Sequence, residues 1–352
     1  MIRDLIAILI LSAWSLSCEK LLLGPAPENS PRDNFEVLWK TLDENYSLFS
    51  AKHINWDSLH TIYAATITPA TTEPELWDVS STLISNLNDG HVTLINRERT
   101  SYYNASELAR SPADNFSFEL VKNKYLSAFT KAGAGFITYG KIGTQAGGKS
   151  IGYIYIASFA SSGIGNGIDW AYDIDKAVEE LYSCDAIIID VRNNGGGLRV
   201  TGDVIYSAFI DRDFLYFYQR LKTGPGHDQF GPPKAVTISR RPDVQRYTRK
   251  IALLTNRYSA SGAEYMAEIF KNLPYSTQIG DSTFGAFGEI TKTAQLPNGW
   301  IFWYPCTYTY TPGGKCLEGI GVAPDVYVRN TKADITAEND LVLDSAIVYL
   351  SK

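Results

Sequence analysis

A serine attacks a carbonyl only where a base takes its proton and where negative charge is welcome. Ser261 meets the second condition in the sequence itself. It follows an apolar run, Ile251 to Leu254, which reads as a short buried strand. After it, Met266, Ile269, Phe270 and Leu273 recur at i, i+3, i+4 and i+7, one face of a helix. The first N–H groups of a helix have no partner within it, and the dipole there favours an anion. Serine is also a preferred helix cap, so this segment alone leaves a capping role open.

The chain has four histidines that could serve as the base. His53 and His60 fall in or beside expected N-terminal helices, and His227 lies in a Gly- and Pro-rich loop that reads as mobile. His91 ends the tight turn Asn88-Asp-Gly-His91 at the head of an apolar strand, where a rigid element can aim its ring. A purely structural role stays open for it. Asn193-Asn-Gly-Gly-Gly197 follows the expected strand Ala186–Val191. Such glycines allow close backbone approach and expose N–H groups. They make either a plain turn or an oxyanion hole. No GxxxxGK[ST] or GxGxxG pattern is present, so phosphate-loop and dinucleotide readings drop out. Glu318, in Leu317-Glu-Gly-Ile-Gly-Val-Ala-Pro-Asp325, could orient a histidine or be an ordinary surface carboxylate.

The elements that must hold these residues divide the chain. Residues 33–95 read as a helical subdomain with helices near Asp33–Phe49, Trp56–Ala65 and Glu73–Leu87, the first starting at a capping-box-like Asp33 and Glu36. Residues 96–149 read as a β-rich connecting region of hairpins. From 150 to 352, strands and helices alternate, the mark of an α/β core. A C-terminal helix around Leu343 to Leu350 closes it, with Thr336 as the expected cap. At 352 residues, 45% hydrophobic and 20% charged, the composition is that of a folded globular protein. A net charge of −6 gives no footprint for nucleic acid.

Arg3 and the apolar stretch Leu5–Leu16 read as a signal peptide, residues 1–17, too short to span a bilayer. Cys18 directly after Ser17 resembles a bacterial lipoprotein cleavage site, with Ser15 where Leu is usual and residues 18–32 as a tether; the expected partner is then a membrane, reached through a lipid on Cys18, and an ordinary signal peptide with an incidental cysteine stays open. Cys184 reads as a buried thiol, and Cys306 and Cys316 could pair across a hairpin in an exported protein. No CxxC or histidine cluster suggests a metal, and no cofactor is expected.

Asp89-Gly-His91, Ile189 to Gly197, Ser259-Ala-Ser-Gly-Ala-Glu264 and Glu318 to Asp325, in that order, resemble the C-terminal processing (tail-specific) peptidases and their tricorn-like relatives. The resemblance implies a crotonase/ClpP-like α/β core and a serine endopeptidase acting on a peptide or protein substrate. It places Ser261 on the nucleophile and Gly262 on one oxyanion donor. The second donor falls on Gly196, because relatives often carry proline, which has no N–H, at the position of Gly195. The processing branch uses a lysine base in a Phe-Gly-Lys-Gly-like stretch, which here reads Thr283-Phe-Gly-Ala-Phe-Gly288. Ala286 cannot accept a proton. The tricorn-like branch uses histidine and glutamate, matched by His91 and Glu318. Tricorn has a bridging serine before its histidine, where this chain has Gly90. No PDZ pattern is recognisable in 96–149. The alternative of a different class is a non-catalytic binding protein for an apolar ligand or peptide, as in the interphotoreceptor retinoid-binding proteins, which share the fold and also lack the lysine.

Overall fold

The computed structural model describes residues 27–102, 115–143, 148–163, 166–288 and 290–352. The expected leader and Cys18 lie outside them. Four helices come first: α1 (Pro31–Asn45), α2 (Phe49–Lys52), α3 (Trp56–Ala64) and α4 (Glu73–Ser85). The cap of α1 is Ser30, not the Asp33–Glu36 pair: its Oγ accepts from the Asp33 N–H at 3.1 Å, and Pro31 opens the helix without needing an acceptor. There follow β1 (Thr93–Ile95), β2 (Thr100–Tyr102), β3 (Leu126–Ala132), β4 (Ile137–Ile142), β5 (Ile151–Ile156), α5 (Ile174–Leu181), β6 (Ala186–Asp190) and α6 (Arg199–Tyr206). The remainder is β7 (Phe214–Leu221), β8 (Lys234–Ile238), β9 (Ile251–Thr255), α7 (Gly262–Lys271), β10 (Ser276–Gly280), β11 (Ile290–Gln295), β12 (Ile301–Pro305), β13 (Thr307–Tyr310), β14 (Val326–Tyr327), α8 (Lys332–Thr336) and α9 (Leu341–Ser351).

A mixed α/β fold results. Its main sheet has seven strands in the order β14-β10-β9-β6-β5-β4-β3. β5, β6, β9, β10 and β14 run parallel, and β3 and β4 extend the edge antiparallel. Side chains alternate across a strand, so each central strand feeds two cores. Ile187, Ile189, Ile251 and Leu253 meet α5, α6 and α7 on one face. Ile188, Ala252 and Leu254 meet Leu343, Ala346 and Leu350 of α9 on the other. A second sheet, β11-β12-β1-β2, joins the helical N-terminal unit to the later chain: Thr93 pairs with Trp303, and Phe35, Leu38 and Leu83 pack with Trp300 and Phe302. β7, β8 and β13 form a third sheet. Among the described residues no helix is long and apolar enough to cross a membrane.

α9 is capped by Asp340, whose Oδ1 accepts from Leu343 N–H at 3.1 Å; Thr336 instead ends α8. Asp340 has a second task. Arg192, fully buried, donates to its Oδ1 at 2.7 Å and to Asp190 at 2.6 Å, and lies over the Phe116 ring. This ion triad ties the strand end before the glycine loop to the cap of the last helix. Removing one partner of a buried set leaves uncompensated charge and costs about 3–5 kcal/mol. Arg192→Met is therefore expected to lower the urea midpoint by that equivalent at unchanged slope.

Candidate active site

Ser261 stands between β9 and α7 with φ 52 and ψ −113, a conformation that side-chain-bearing residues rarely adopt. The strain turns the residue out of the strand direction and leaves it partly exposed. Its N–H donates to Glu264 Oε2 at 2.9 Å, while its hydroxyl falls short of hydrogen-bond geometry with the Glu264 N–H. Capping thus runs mainly through the main chain. The neighbouring Ser259 is fully buried: its Oγ donates to Val191 O at 2.8 Å and accepts from Asn256 N–H at 3.0 Å, so it is structural.

The glycine loop lies against Ser261. A Cβ on Gly196, which has φ +91, would stand 2.7 Å from both Ser261 Cβ and Gly262 N, so only glycine fits. The loop is held there by Ala260 N–H on Asn194 O (2.9 Å) and Asn193 N–H on Asn256 Oδ1 (3.0 Å). The Gly196 N–H, expected to be an oxyanion donor, is already given to Asn194 Oδ1 at 2.8 Å. Among the described residues, the N–H groups of Gly262 and Gly195 have no acceptor.

His91 lies just before β1 and is 9% exposed, with Nδ1 fully buried. A nitrogen of His91 and carboxylate oxygens of Asp89 and Glu318 lie within 4.8 Å of one another. Asp89 shapes the turn: Oδ1 accepts from the His91 N–H at 2.8 Å and Oδ2 from the Tyr46 hydroxyl at 2.7 Å. Gly90 does not leave room for a larger residue. Its Cβ would meet the Phe284 ring at 2.7 Å, so the place of a bridging serine is filled by an aromatic edge. Three ligand atoms this close resemble a metal cradle, yet the Lys52 ammonium already faces two of the groups, 3.2 Å from Glu318 Oε1 and 3.9 Å from Asp89 Oδ2.

Ala286 sits where a lysine base would be expected, and its surroundings are built for another purpose. Six consecutive N–H groups, from Thr283 to Gly288, all have acceptors. Thr283 donates to Val322 O (3.1 Å) and Phe284 to Ser259 O (2.9 Å). Gly285 and Ala286 donate to Glu264 (2.6 and 2.7 Å), and Phe287 and Gly288 to Glu318 Oε2 (2.6 and 3.0 Å). Two buried carboxylates therefore pin one loop between α7 and the histidine. Burial pushes the Glu264 carboxyl up, against four hydrogen bonds that pull it down. Burial, then the charge of Asp89, pushes Glu318 up to about 8, with Lys52 and the two amides opposing.

The other histidines are placed elsewhere. His60 pairs with Glu36 at 2.9 Å, and His53 ends α2 in the left-handed region. His227, expected in a mobile loop, is anchored: its Nε2 is 2.7 Å from Asp43 and its ring stacks on Phe49. Cys306 and Cys316 carry thiols and are not joined by a disulfide; Cys184 is buried. Sequence reasoning missed Lys52, Asp89 and Glu264 as site residues. Asp89 and Glu264 lay inside quoted motifs, whereas Lys52 carries no motif.

The family model for peptidase family S41 matches residues 150–328, and that for the tricorn protease C1 domain matches residues 27–84. The chain is 24% identical over 184 residues to carboxy-terminal processing protease CtpB of Bacillus subtilis, covering 52% of this chain and 35% of that one. It is 26% identical over 211 residues to a carboxyl-terminal-processing protease of Synechocystis, covering 58% and 44%. The chain thus spans less than half the length of these curated relatives. A solved structure of a candidate peptidase from Parabacteroides merdae superposes with a TM-score of 0.81 at 33% identity, covering 92% of this chain and 97% of that one. By a family match over half its length and a close structural relative over nearly all of it, the chain belongs to peptidase family S41.

Proposed function

We propose that this chain is a serine endopeptidase that cleaves peptide or protein substrates with Ser261, His91 and Glu318. The observation that carries the reading is the strained Ser261 at the head of α7, on a loop system that Glu264 and Glu318 tie to the histidine's carboxylates. Ser261 Oγ attacks the scissile carbonyl carbon as His91 Nε2, the nitrogen opposite the buried Nδ1, takes its proton. The tetrahedral oxyanion meets the Gly262 N–H at the helix start. Gly195 offers the glycine loop's available second donor; Gly196 would first have to release Asn194. His91 then gives its proton to the leaving amine as the C–N bond breaks. Water repeats the steps in reverse, releasing a carboxylic acid and restoring Ser261. Ionised Glu318 stabilises the transient imidazolium.

The curated relatives are named for cleavage at carboxyl termini, and a protein tail is the substrate class we favour. The described part of 96–149 supplies β2 to the second sheet and β3 and β4 to the main sheet. The apolar-ligand alternative draws less support: the hollow of about 580 Å³ beside Trp300 is lined by Glu73, Arg97, Glu98 and Arg99. We extend the proposal to export and lipid anchoring at Cys18, on the strength of the Leu5–Leu16 stretch and Ser17-Cys18. One experiment addresses both parts. A fluorophosphonate should label the protein on the Ser261 peptide, and the same mass spectra should show an acylated N-terminal Cys18. No labelling would point to the binding-protein alternative; an unmodified Cys18 would remove the anchor alone.

A further inference from the structure

Lys52 ends α2, a single helical turn in the N-terminal unit, and its side chain runs inward with only 10% exposed. Nζ donates to Leu87 O at 3.1 Å and to Asn88 O at 2.5 Å, the carbonyls that lead into Asp89-Gly90-His91. The same ammonium faces Glu318 and Asp89. Burying an ammonium is costly unless partners compensate it, and holding a lysine stem gives up rotamer entropy. Two carboxylates this close in a dry site resist ionising together. The groups facing Glu318 are Lys52 from α2, Asp89 and His91 from the turn before β1, Tyr46 after α1, and the Cys316 thiol. Of these, only Lys52 brings an ammonium group.

We propose that Lys52 is a positioning residue of the active site: it lets Glu318 ionise beside His91 and fixes the turn that carries the imidazole. The inference rests on Ser261, His91 and Glu318 being the reacting set. The helical N-terminal unit then contributes to the chemistry as well as to packing. A residue that merely braced the fold would affect the rate equally at every pH. A residue that governs the charge of Glu318 moves the acidic limb of the profile.

The test is kcat/KM on a fluorogenic peptide from pH 6 to 10 for the full chain and for Lys52→Met and Lys52→Arg. For Lys52→Met the limb should move up by about one pH unit or more, equal to about tenfold at pH 7, with the deficit shrinking as pH rises. Lys52→Arg keeps the cation and should return the limb toward its original place. A uniform loss at all pH values, or an unmoved limb, would overturn the proposal. If Lys52→Met does not fold, the double variant Lys52→Met with Glu318→Gln removes both charges and should fold; should it also fail, the lysine is a brace and the proposal falls. Hydrolysis surviving in Ser261→Ala would sink the peptidase reading itself. An inactive Ser261→Ala with an unmoved Lys52→Met limb would sink only the role of Lys52.

Discussion

Ser261→Ala is expected to remove peptide hydrolysis almost completely, by on the order of a million-fold in kcat, as loss of a serine nucleophile does when its partners act as a unit. The folded structure should be untouched, because the α7 N-terminus is held by main-chain bonds of Ser261 and by Glu264, none of which the substitution removes. Ser259→Ala is the informative control. It strips a buried hydroxyl from Val191 O and Asn256 N–H, which should cost about 1–3 kcal/mol of stability and leave the fold's remaining activity measurable. Steady-state hydrolysis and urea unfolding of both variants separate the roles. Full activity in Ser261→Ala would end the assignment.

His91→Ala should be nearly as severe, because Ala286 offers no substitute base and the buried cation Lys52 is committed to Glu318 and the turn carbonyls. The pH dependence is more specific. The working form needs His91 neutral and Glu318 ionised, so activity rises with pH and is lost on acidification. With Glu318 raised to about 8, the limb should stand above the unperturbed histidine value of about 6.5. Stability should run the other way. Between the unfolded carboxyl value of about 4.3 and about 8, the folded chain keeps a proton on Glu318 that the unfolded chain has lost. The folding free energy from this group therefore declines as pH rises through that window. Glu318→Gln should flatten that slope while impairing catalysis. Urea midpoints at pH 5 and pH 8.5 check it: a Glu318→Gln slope identical to that of the parent would show that the group is not raised.

Much of this site can be read from the chain because its parts obey local rules. Periodicity marks β9 and α7, and Ser261 must lie between them. The glycines at 195–197 announce a tight approach, which proves to be against Ser261 itself. Helix ends were less legible: Ser30 and Asp340 outcompete Asp33 and Thr336 because Pro31 and the Arg192 ion triad fix where each helix starts. Lys52 could not have been found locally. Its role depends on meeting Glu318, and a lysine at the end of a four-residue helix looks like any solvated one. The Gly196 N–H shows a similar limit, since only the folded loop brings Asn194 round to accept it.

The joining of β1 to β12 has a consequence for when the proposed reacting set is complete. Thr93 pairs with Trp303, and the Ser47 hydroxyl reaches Thr307 O across 260 residues of chain. A ribosome adds roughly 5–20 residues each second, so the segment bearing Lys52 and His91 waits on the order of tens of seconds for Glu318 to exist. Contacts this distant in sequence also close late, after local structure has formed. A nascent chain can therefore present a well-made serine turn before the proposed base and carboxylate are brought beside it. On the proposed peptidase reading, the reacting set is complete only when the last strands fold back onto the first.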